Sequence, residues 1–371
     1  MLSCSAIDTA LQITTDGQVK PCCPGAYPLG SLRTTPIDLI LSSDIYTSVR
    51  TSIIEGKSDY CTNCNLNDSL VPNSSQRATF NQHFPSPGYQ QLKQLDIRWS
   101  NLCNLTCRYC NASDSSEWAK LRGIPLESIS RDYAQGVFDL VQKNRDSIQV
   151  VYLLGGEPLL QKYNEELLDC LGPNTHIDII TNLNVNLDTN RVYQKLRNFS
   201  NIIWNLSFDN IGDKFEYVRY GSSWDLLLSN IERLKQDFGL GRIVLHPVYS
   251  IWNAVDIQEL IDFSQQLGVE VRWQLANEDE RYPELLGGFS IFAHNDNIKS
   301  LARAHINSLS NVDRRSQLFF NNIKQSLISS DAIHNRAQHF LMWTAKMEQL
   351  LPSVHTFENL WPELNTLLLE G

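Results

Sequence analysis

Cys103-Asn104-Leu105-Thr106-Cys107-Arg108-Tyr109-Cys110 places three thiols at i, i+4 and i+7, just after the strand-like run Leu95-Asp96-Ile97-Arg98-Trp99. Thiolates are soft ligands that suit zinc and iron–sulfur clusters. A structural zinc or a simple electron-transfer cluster takes four protein ligands. Three on one short loop leave a cubane with one iron uncapped, and an uncapped iron can bind a small molecule. A zinc knuckle and buried free cysteines are the alternative readings of the spacing.

Outward from this loop, strand and helix signals alternate, the pattern of parallel βα units. Strands are expected at 94–99, 148–154, 176–181, 202–208, 243–249 and 269–275. Helices are expected near 128–145, 161–171, 188–198, 223–238 and 254–267. Periodicity supports a barrel and an open doubly wound sheet equally, and both place sites at the carboxyl ends of strands. Period-two alternation puts Asn205, Ser207 and Asp209 on one face and Trp204, Leu206 and Phe208 on the other. Asp178, Ile180 and Asn182 share a face, as do Arg272 and Gln274. A polar stripe on successive strands suits a lumen that holds a polar ligand. The second strand ends in Gly155-Gly156-Glu157-Pro158, where adjacent glycines let a ligand approach the backbone closely.

CxxxCxxC with Tyr109 before the last cysteine resembles the signature of radical S-adenosylmethionine (SAM) enzymes. The resemblance implies a partial (β/α)6 TIM-like barrel and a 4Fe–4S cluster on Cys103, Cys107 and Cys110, whose fourth iron chelates SAM. It also implies one-electron cleavage of SAM to a 5′-deoxyadenosyl radical, fed by a donor such as flavodoxin or ferredoxin. Gly155-Gly156-Glu157-Pro158 is similar to the family's GGEP motif, which implies a hydrogen bond to the SAM amino group. Thr181-Asn182 stands where relatives carry Thr-Asn-Gly, with Leu183 in place of the glycine. Ser207-Phe208-Asp209 and the later Arg219 resemble positions that contact the SAM ribose and carboxylate. The implied SAM-site residues are therefore Tyr109, Gly155, Gly156, Glu157, Asn182, Ser207, Asp209 and Arg219. Arg219 as a plain surface ion pair remains the other reading of that residue.

The first ninety residues carry five more cysteines: Cys4, Cys22, Cys23, Cys61 and Cys64. Asp16-Gly17 between β-prone runs signals a hairpin that brings Cys4 and Cys22 together. Residues 43–55 read as a helix with Ile45, Val49, Ile53 and Ile54 on one face. Two distant thiol pairs, one of them Cys61-x-x-Cys64, suit a four-thiolate centre of iron–sulfur or zinc. The spacing Cys4, Gly17, Cys22 and Cys61-x-x-Cys64 resembles the twitch module, a truncated SPASM domain. The resemblance implies a second 4Fe–4S cluster on Cys4, Cys22, Cys61 and Cys64, with Cys23 spare and the Cys22/Cys23 choice open. Such a module usually follows the barrel, whereas here it precedes it.

These readings divide the chain into an α+β auxiliary cluster domain at 1–66, a linker at 67–92, a barrel at 93–287 and a helical C-terminal extension at 288–371. The linker is turn-rich, with Phe80 or Phe84 as an ordered contact. His246 is expected to meet substrate or to be structural, and Cys170 to be core. The C-terminal helices are expected to cover an open side of the barrel, or to act as a lid or docking surface. The chain of 371 residues is 42% hydrophobic and 19% charged, as globular proteins are. No run approaches the roughly 18 apolar residues of a transmembrane helix. Residues 1–8 lack the basic and apolar regions of a signal peptide. Clustered thiols of this kind fit a reducing cytoplasm. The net charge of −10 speaks against a large nucleic-acid footprint. The expected function is a radical SAM enzyme acting on a peptide or small polar metabolite. An RNA- or nucleotide-modifying radical SAM enzyme and a non-enzymatic iron–sulfur or zinc scaffold are the alternatives.

Overall fold

The computed structural model describes residues 3–23, 25–70, 75–85, 91–126, 128–276, 288–329 and 336–370. The expected boundary at 287/288, and the linker residues Pro72, Asn73, Ser74, Ser86, Pro87 and Gly88, lie outside the described residues. The chain separates into two compact units. The first comprises Met1–Cys103, Ala112–Thr181 and Asn186–Ile203; the second comprises Asn104–Asn111, Asn182–Val185 and Trp204–Gly371.

In the first unit, β1 (Ala10–Ile13) and β2 (Gln18–Lys20) form the expected antiparallel hairpin. Gly17 turns it at φ +77°, a conformation that glycine adopts without a Cβ clash. β3 (Gly30–Ser31) extends the hairpin. On its other edge β1 runs parallel to β4 (Gln94–Ile97), which pairs in turn with β5 (Val150–Leu153) and β6 (His176–Thr181), all parallel. The Cys-rich hairpin is thus continuous with the sheet that carries the first strands of the βα repeat. Alternation sends Leu95, Ile97, Val151, Leu153, Ile177 and Ile179 to one face, where all are fully buried. The helix Arg131–Lys143 buries Ala134, Val137, Phe138 and Val141, the i, i+3, i+4, i+7 stripe of an amphipathic helix. Its start is fixed by Ser130, whose hydroxyl accepts from the Tyr133 amide. Trp99 packs against Phe138 and Tyr163, with both ring centroids 5.3 Å away. Inside the turn-rich segment a helix forms at Gln76–His83, capped by Ser75, and Phe80 and Phe84 are buried.

In the second unit, β7 (Ile202–Ser207, whose first two residues belong to the first unit) pairs parallel with β8 (Ile243–His246). A short ladder joins β9 (Val248–Tyr249) to β11 (Gln274–Leu275), and β8 pairs with β10 (Glu270–Val271). The expected strand at 243–249 is split at Pro247, which has no N–H to give a ladder. Helices Trp224–Phe238 and Ile257–Leu267 complete the alternation, so β4, β5, β6, β7, β8 and β10 make the six βα steps of a partial (β/α)6 barrel. After residue 288 the described chain is helical: Asp296–Ser308, Arg314–Ser329, Ala337–Leu350, Phe357–Leu360 and Pro362–Glu370, with a short 3-10 turn at Ile291–Ala293. Their apolar faces join Tyr217, Tyr249, Trp252 and Ile257 in one core with Phe320, Phe340 and Trp361.

Candidate active site and N-terminal thiol centre

Cys4, Cys22, Cys61 and Cys64 line one small cavity in the first unit, together with Gly25, Tyr60, Arg77 and Phe80. Cys4 and Cys64 are buried, Cys22 and Cys61 half-buried, and Cys23 is exposed. Burial, and then the neighbouring Cys61 and Cys64, push the Cys4 thiol up to about 12. Burial and the other thiols push Cys22 in the same direction. Tyr60 forms part of the wall, and a Cβ on Gly25 would stand 2.4 Å from its hydroxyl oxygen. Only glycine fits there, a constraint that Cys-Cys-Pro-Gly does not announce. Arg77 is held beside the cavity by Asp68 and by Asn65 Oδ1, 2.8 Å away.

Elsewhere in the first unit, the loop leading into Cys103 is held by the strand-two glycines. Gly155 has φ +82° and Gly156 φ +27°. A Cβ on Gly156 would lie 2.2 Å from the Leu102 carbonyl oxygen, and the Glu157 amide donates to that oxygen at 2.7 Å. Gly156 is required by this approach of the protein's own backbone. Glu157 is buried and turned inward, accepting from Thr181 Oγ1 at 2.6 Å and from the Leu159 amide at 3.0 Å. Cys103 is buried, and its amide donates to Ser116 Oγ at 3.0 Å.

The second unit holds Cys107 and Cys110 on the loop Asn104–Asn111. Thr106 and Arg108 amides donate to the Tyr220 and Val218 carbonyls at 2.9 and 2.8 Å. The Arg108 guanidinium is buried 3.8 Å from the Tyr217 ring centroid, and Trp343 Nε1 donates to the Arg108 carbonyl at 3.2 Å. The C-terminal helices therefore brace this loop directly. Asp209 lies at the centre of a buried network. Its carboxylate accepts from Tyr109 Oη at 2.6 Å, Arg219 Nη2 at 2.8 Å and the Val248 amide at 2.9 Å. Arg219 Nη1 donates to Cys107 Sγ at 3.9 Å. Burial would lower the Arg219 pKa, but the Asp209 charge outweighs it and holds the guanidinium cationic. Burial first, and then the Asp209 charge, raise the Tyr109 hydroxyl well above its ordinary range, although Arg219 opposes them.

Arg219 is thus a buried partner of Asp209 rather than a surface ion pair. Asn182 Nδ2 donates to Asn104 Oδ1 at 3.0 Å, and its own Oδ1 accepts from the Asn184 amide at 2.8 Å. Leu183, in the place of the expected glycine, is fully buried and takes φ +52°. Ser207 ends β7, in register with His246. Asn104 and Arg108, both inside the cysteine motif, are structural residues that spacing alone does not reveal.

A family profile described as the radical SAM superfamily matches residues 97–263, and one described as an iron–sulfur cluster-binding domain, SPASM, matches residues 4–65. The chain belongs to the radical SAM superfamily. No curated protein matches it. Among solved structures, this radical SAM chain is similar to anSMEcpe with bound AdoMet at 15% identity, over 58% of this chain and 59% of that one, with a TM-score of 0.42. It is also similar to Streptococcus suis SuiB bound to S-adenosylmethionine at 15% identity, over 81% and 62%, with a TM-score of 0.43. SuiB bound to its precursor peptide SuiA gives 16% identity over 83% and 70%, with a TM-score of 0.41. The chain spans 59% of the length of the anSMEcpe chain.

The N-terminal residues of this radical SAM protein fit the cluster that a SPASM domain carries. Four thiols line one small cavity, and burial with repulsion from the neighbouring thiols disfavours Cys4 and Cys22 as bare thiolates. Among the described residues, no group of three or more His, Cys, Asp or Glu is placed to hold one metal ion.

Proposed function

We propose that the chain is a radical SAM enzyme that cleaves SAM reductively to a 5′-deoxyadenosyl radical, which takes hydrogen from a peptide or small polar metabolite. The reading is carried by the superfamily match across 97–263, which contains the whole Cys103, Cys107, Cys110 motif and Gly155-Gly156-Glu157. When bound on these three thiolates, a 4Fe–4S cluster supplies the electron for SAM cleavage. A ferredoxin or flavodoxin is the proposed source of that electron. Gly155, Gly156, Glu157, Asn182, Ser207 and Tyr109 are proposed to line the SAM site. Asp209 orients Tyr109 and Arg219, and Arg219 sets a positive charge beside the Cys107 sulfur. A direct bond from Arg219 to the SAM carboxylate requires one of its nitrogens to leave its present partner.

Cys4, Cys22, Cys61 and Cys64 are the proposed ligands of a second 4Fe–4S cluster within an auxiliary domain of residues 1–66. The linker at 67–92, barrel at 93–287 and helical extension at 288–371 complete the proposed division. The exposure of Cys23, against the placement of Cys22 on the thiol cavity, favours Cys22 as the ligand. The clustered thiols favour a reducing cytoplasm, and no described helix is long and apolar enough to cross a membrane. Anaerobic incubation with SAM and dithionite tests the activity: formation of 5′-deoxyadenosine is the expected result. Reconstituted protein that yields none is a scaffold.

A further inference from the structure

Tyr60 stands in the wall of the cavity that Cys4, Cys22, Cys61 and Cys64 line. Its side chain is fully buried, and its hydroxyl has no hydrogen-bond partner among the described residues. Its position is nevertheless fixed from several sides. The Tyr60 amide donates to Ser58 Oγ at 3.1 Å, and its carbonyl accepts from the Ala26 amide at 3.2 Å. Tyr27 packs edge-on against the ring, with centroids 4.8 Å apart. Gly25, also on the cavity wall, carries no side chain to strike the ring: a Cβ there would lie 2.6 Å from Cε1 and 2.4 Å from the hydroxyl oxygen. The Gly25 amide donates to the Cys22 carbonyl at 3.3 Å. The hydroxyl end of the ring therefore lies against the turn that carries Cys22.

Buried polar groups are almost always hydrogen-bonded, and one left without a partner is destabilising. Arg77, on the same cavity, repeats the pattern. Its Nη1 and Nη2 are held by Asn65 and Asp68, while its Nε is buried with no partner among the described residues. Two unused donors thus belong to side chains that line the cavity of the four thiols. Neither is bonded to a thiol sulfur in this structure. An acceptor that enters the cavity satisfies them. Tyr60 also precedes Cys61 in the 3-10 turn Asp59–Cys61, so the same turn carries the hydroxyl and a proposed ligand.

We propose that the Tyr60 hydroxyl donates a hydrogen bond to a sulfur on the Cys22 side of the second cluster, and that this bond raises the cluster's reduction potential. The proposal rests on the auxiliary-cluster reading above and assigns a residue that is not a ligand. A donated hydrogen bond draws charge from sulfur and favours the reduced, more negative form; such bonds are among the factors that set these potentials. Tyrosine suits the role because a phenol keeps its proton at neutral pH. Its ring is already fixed, so the donor needs no rearrangement to meet its acceptor. A centre that is easier to reduce is suited to accepting an electron.

The test compares anaerobically reconstituted holoenzyme with its Tyr60→Phe variant. Phenylalanine keeps the ring against Gly25 and Tyr27 and removes one oxygen. Iron analysis first establishes two clusters, at about eight iron per chain in both proteins. The electron paramagnetic resonance signal that added SAM leaves unchanged then belongs to the auxiliary cluster. Redox titration of that signal should give a lower midpoint potential in Tyr60→Phe. Electron–nuclear double resonance of the reduced wild type should show a coupled proton that is absent from protein reconstituted in deuterium oxide and absent from Tyr60→Phe. A ring that serves only as packing contributes no such proton. An unchanged midpoint, or the same exchangeable coupling in both proteins, overturns the role of Tyr60 alone. A wild-type spectrum with no exchangeable coupling overturns it whether or not the variant retains its cluster. Wild type with iron near four per chain, one cubane, overturns the auxiliary-cluster reading and this proposal with it. Formation of 5′-deoxyadenosine is scored separately.

Discussion

The two thiol regions differ in what surrounds their sulfurs. In the N-terminal cavity, Cys4, Cys22, Cys61 and Cys64 face one another, and Arg77 is the lining cation, already held by Asp68. Around Cys107 the protein has its own counter-charge: Arg219 reaches the sulfur, Asp209 holds Arg219, and Tyr109 and the Val248 amide complete the carboxylate's bonds. In the first region the proposed centre would tie three chain segments together, those of Cys4, of Cys22 and of Cys61 with Cys64. The second is held by hydrogen bonds and a buried ion pair that need no metal. The difference suits the proposed roles: an auxiliary cluster closed by four ligands, and a catalytic one whose open iron must meet SAM in a fixed setting.

The largest effect should come from Cys103→Ala, Cys107→Ala and Cys110→Ala combined. This variant is expected to lose 5′-deoxyadenosine formation altogether while iron falls from about eight to about four per chain, one cubane remaining. Undiminished SAM cleavage breaks the assignment of the second region. The mirror variant, Cys61→Ala with Cys64→Ala, should also fall to about four iron per chain, and residues 4–65 should lose hydrogen-exchange protection. The exchange pattern sharpens the comparison, because only the metal-dependent region should loosen. Iron that stays near eight refutes the ligand set, and zinc in its place refutes the cluster.

The order of strands and helices was legible because each carries its own period. The expected helix at 43–55 is observed at Asp44–Ile54, with Ser43 as its cap. The strand at 176–181 has its expected bounds. The grouping of Cys4, Cys22, Cys61 and Cys64 on one cavity was legible from spacing. The surroundings were not, because they depend on pairings between residues far apart in sequence. Nothing near Asp209 states that its carboxylate meets Tyr109, one hundred residues earlier. Gln12, Asp96, Tyr152 and Asp178 fall in one row across β1, β4, β5 and β6 only once register is known. Gly156 was read as leaving room for a ligand, but the group that approaches it is the Leu102 backbone of the same chain. The helix at Gln76–His83 was hidden by the prolines and serines around it, which mark turns by composition.

Asp209→Asn tests whether the second region stands on its ion pair. The change leaves Arg219 buried without its anion and weakens the acceptor for Tyr109. Breaking one side of a buried pair costs about 3–5 kcal/mol. The expected result is a large drop in the urea midpoint of metal-free protein, where the cluster cannot contribute. Arg219→Lys should cost less, since an ammonium keeps the charge but cannot span Asp209 and Cys107 as the planar fork does. An unchanged midpoint in Asp209→Asn would mean that the network contributes nothing without metal, and the contrast between the regions would disappear.

The smallest effect concerns Leu183, which follows Asn182 in the second unit. An L-residue in the left-handed region carries strain of roughly 1–2 kcal/mol, and Leu183 has φ +52°. It is tolerated because the side chain is fully buried and Asn230 Nδ2 donates to its carbonyl at 2.8 Å. Leu183→Ala should lose about 2–5 kcal/mol, since it removes the buried side chain and keeps the strain. Leu183→Gly removes the same atoms but relieves the strain, against a greater entropy loss on folding of roughly 0.5–1 kcal/mol. Strain relief is the larger of these two terms. Both variants should melt below the wild type, with glycine above alanine, the reverse of their usual order at interior positions. Thermal denaturation of the three proteins side by side decides it. If alanine melts above glycine, the backbone here is not strained, and Leu183 is held by packing alone.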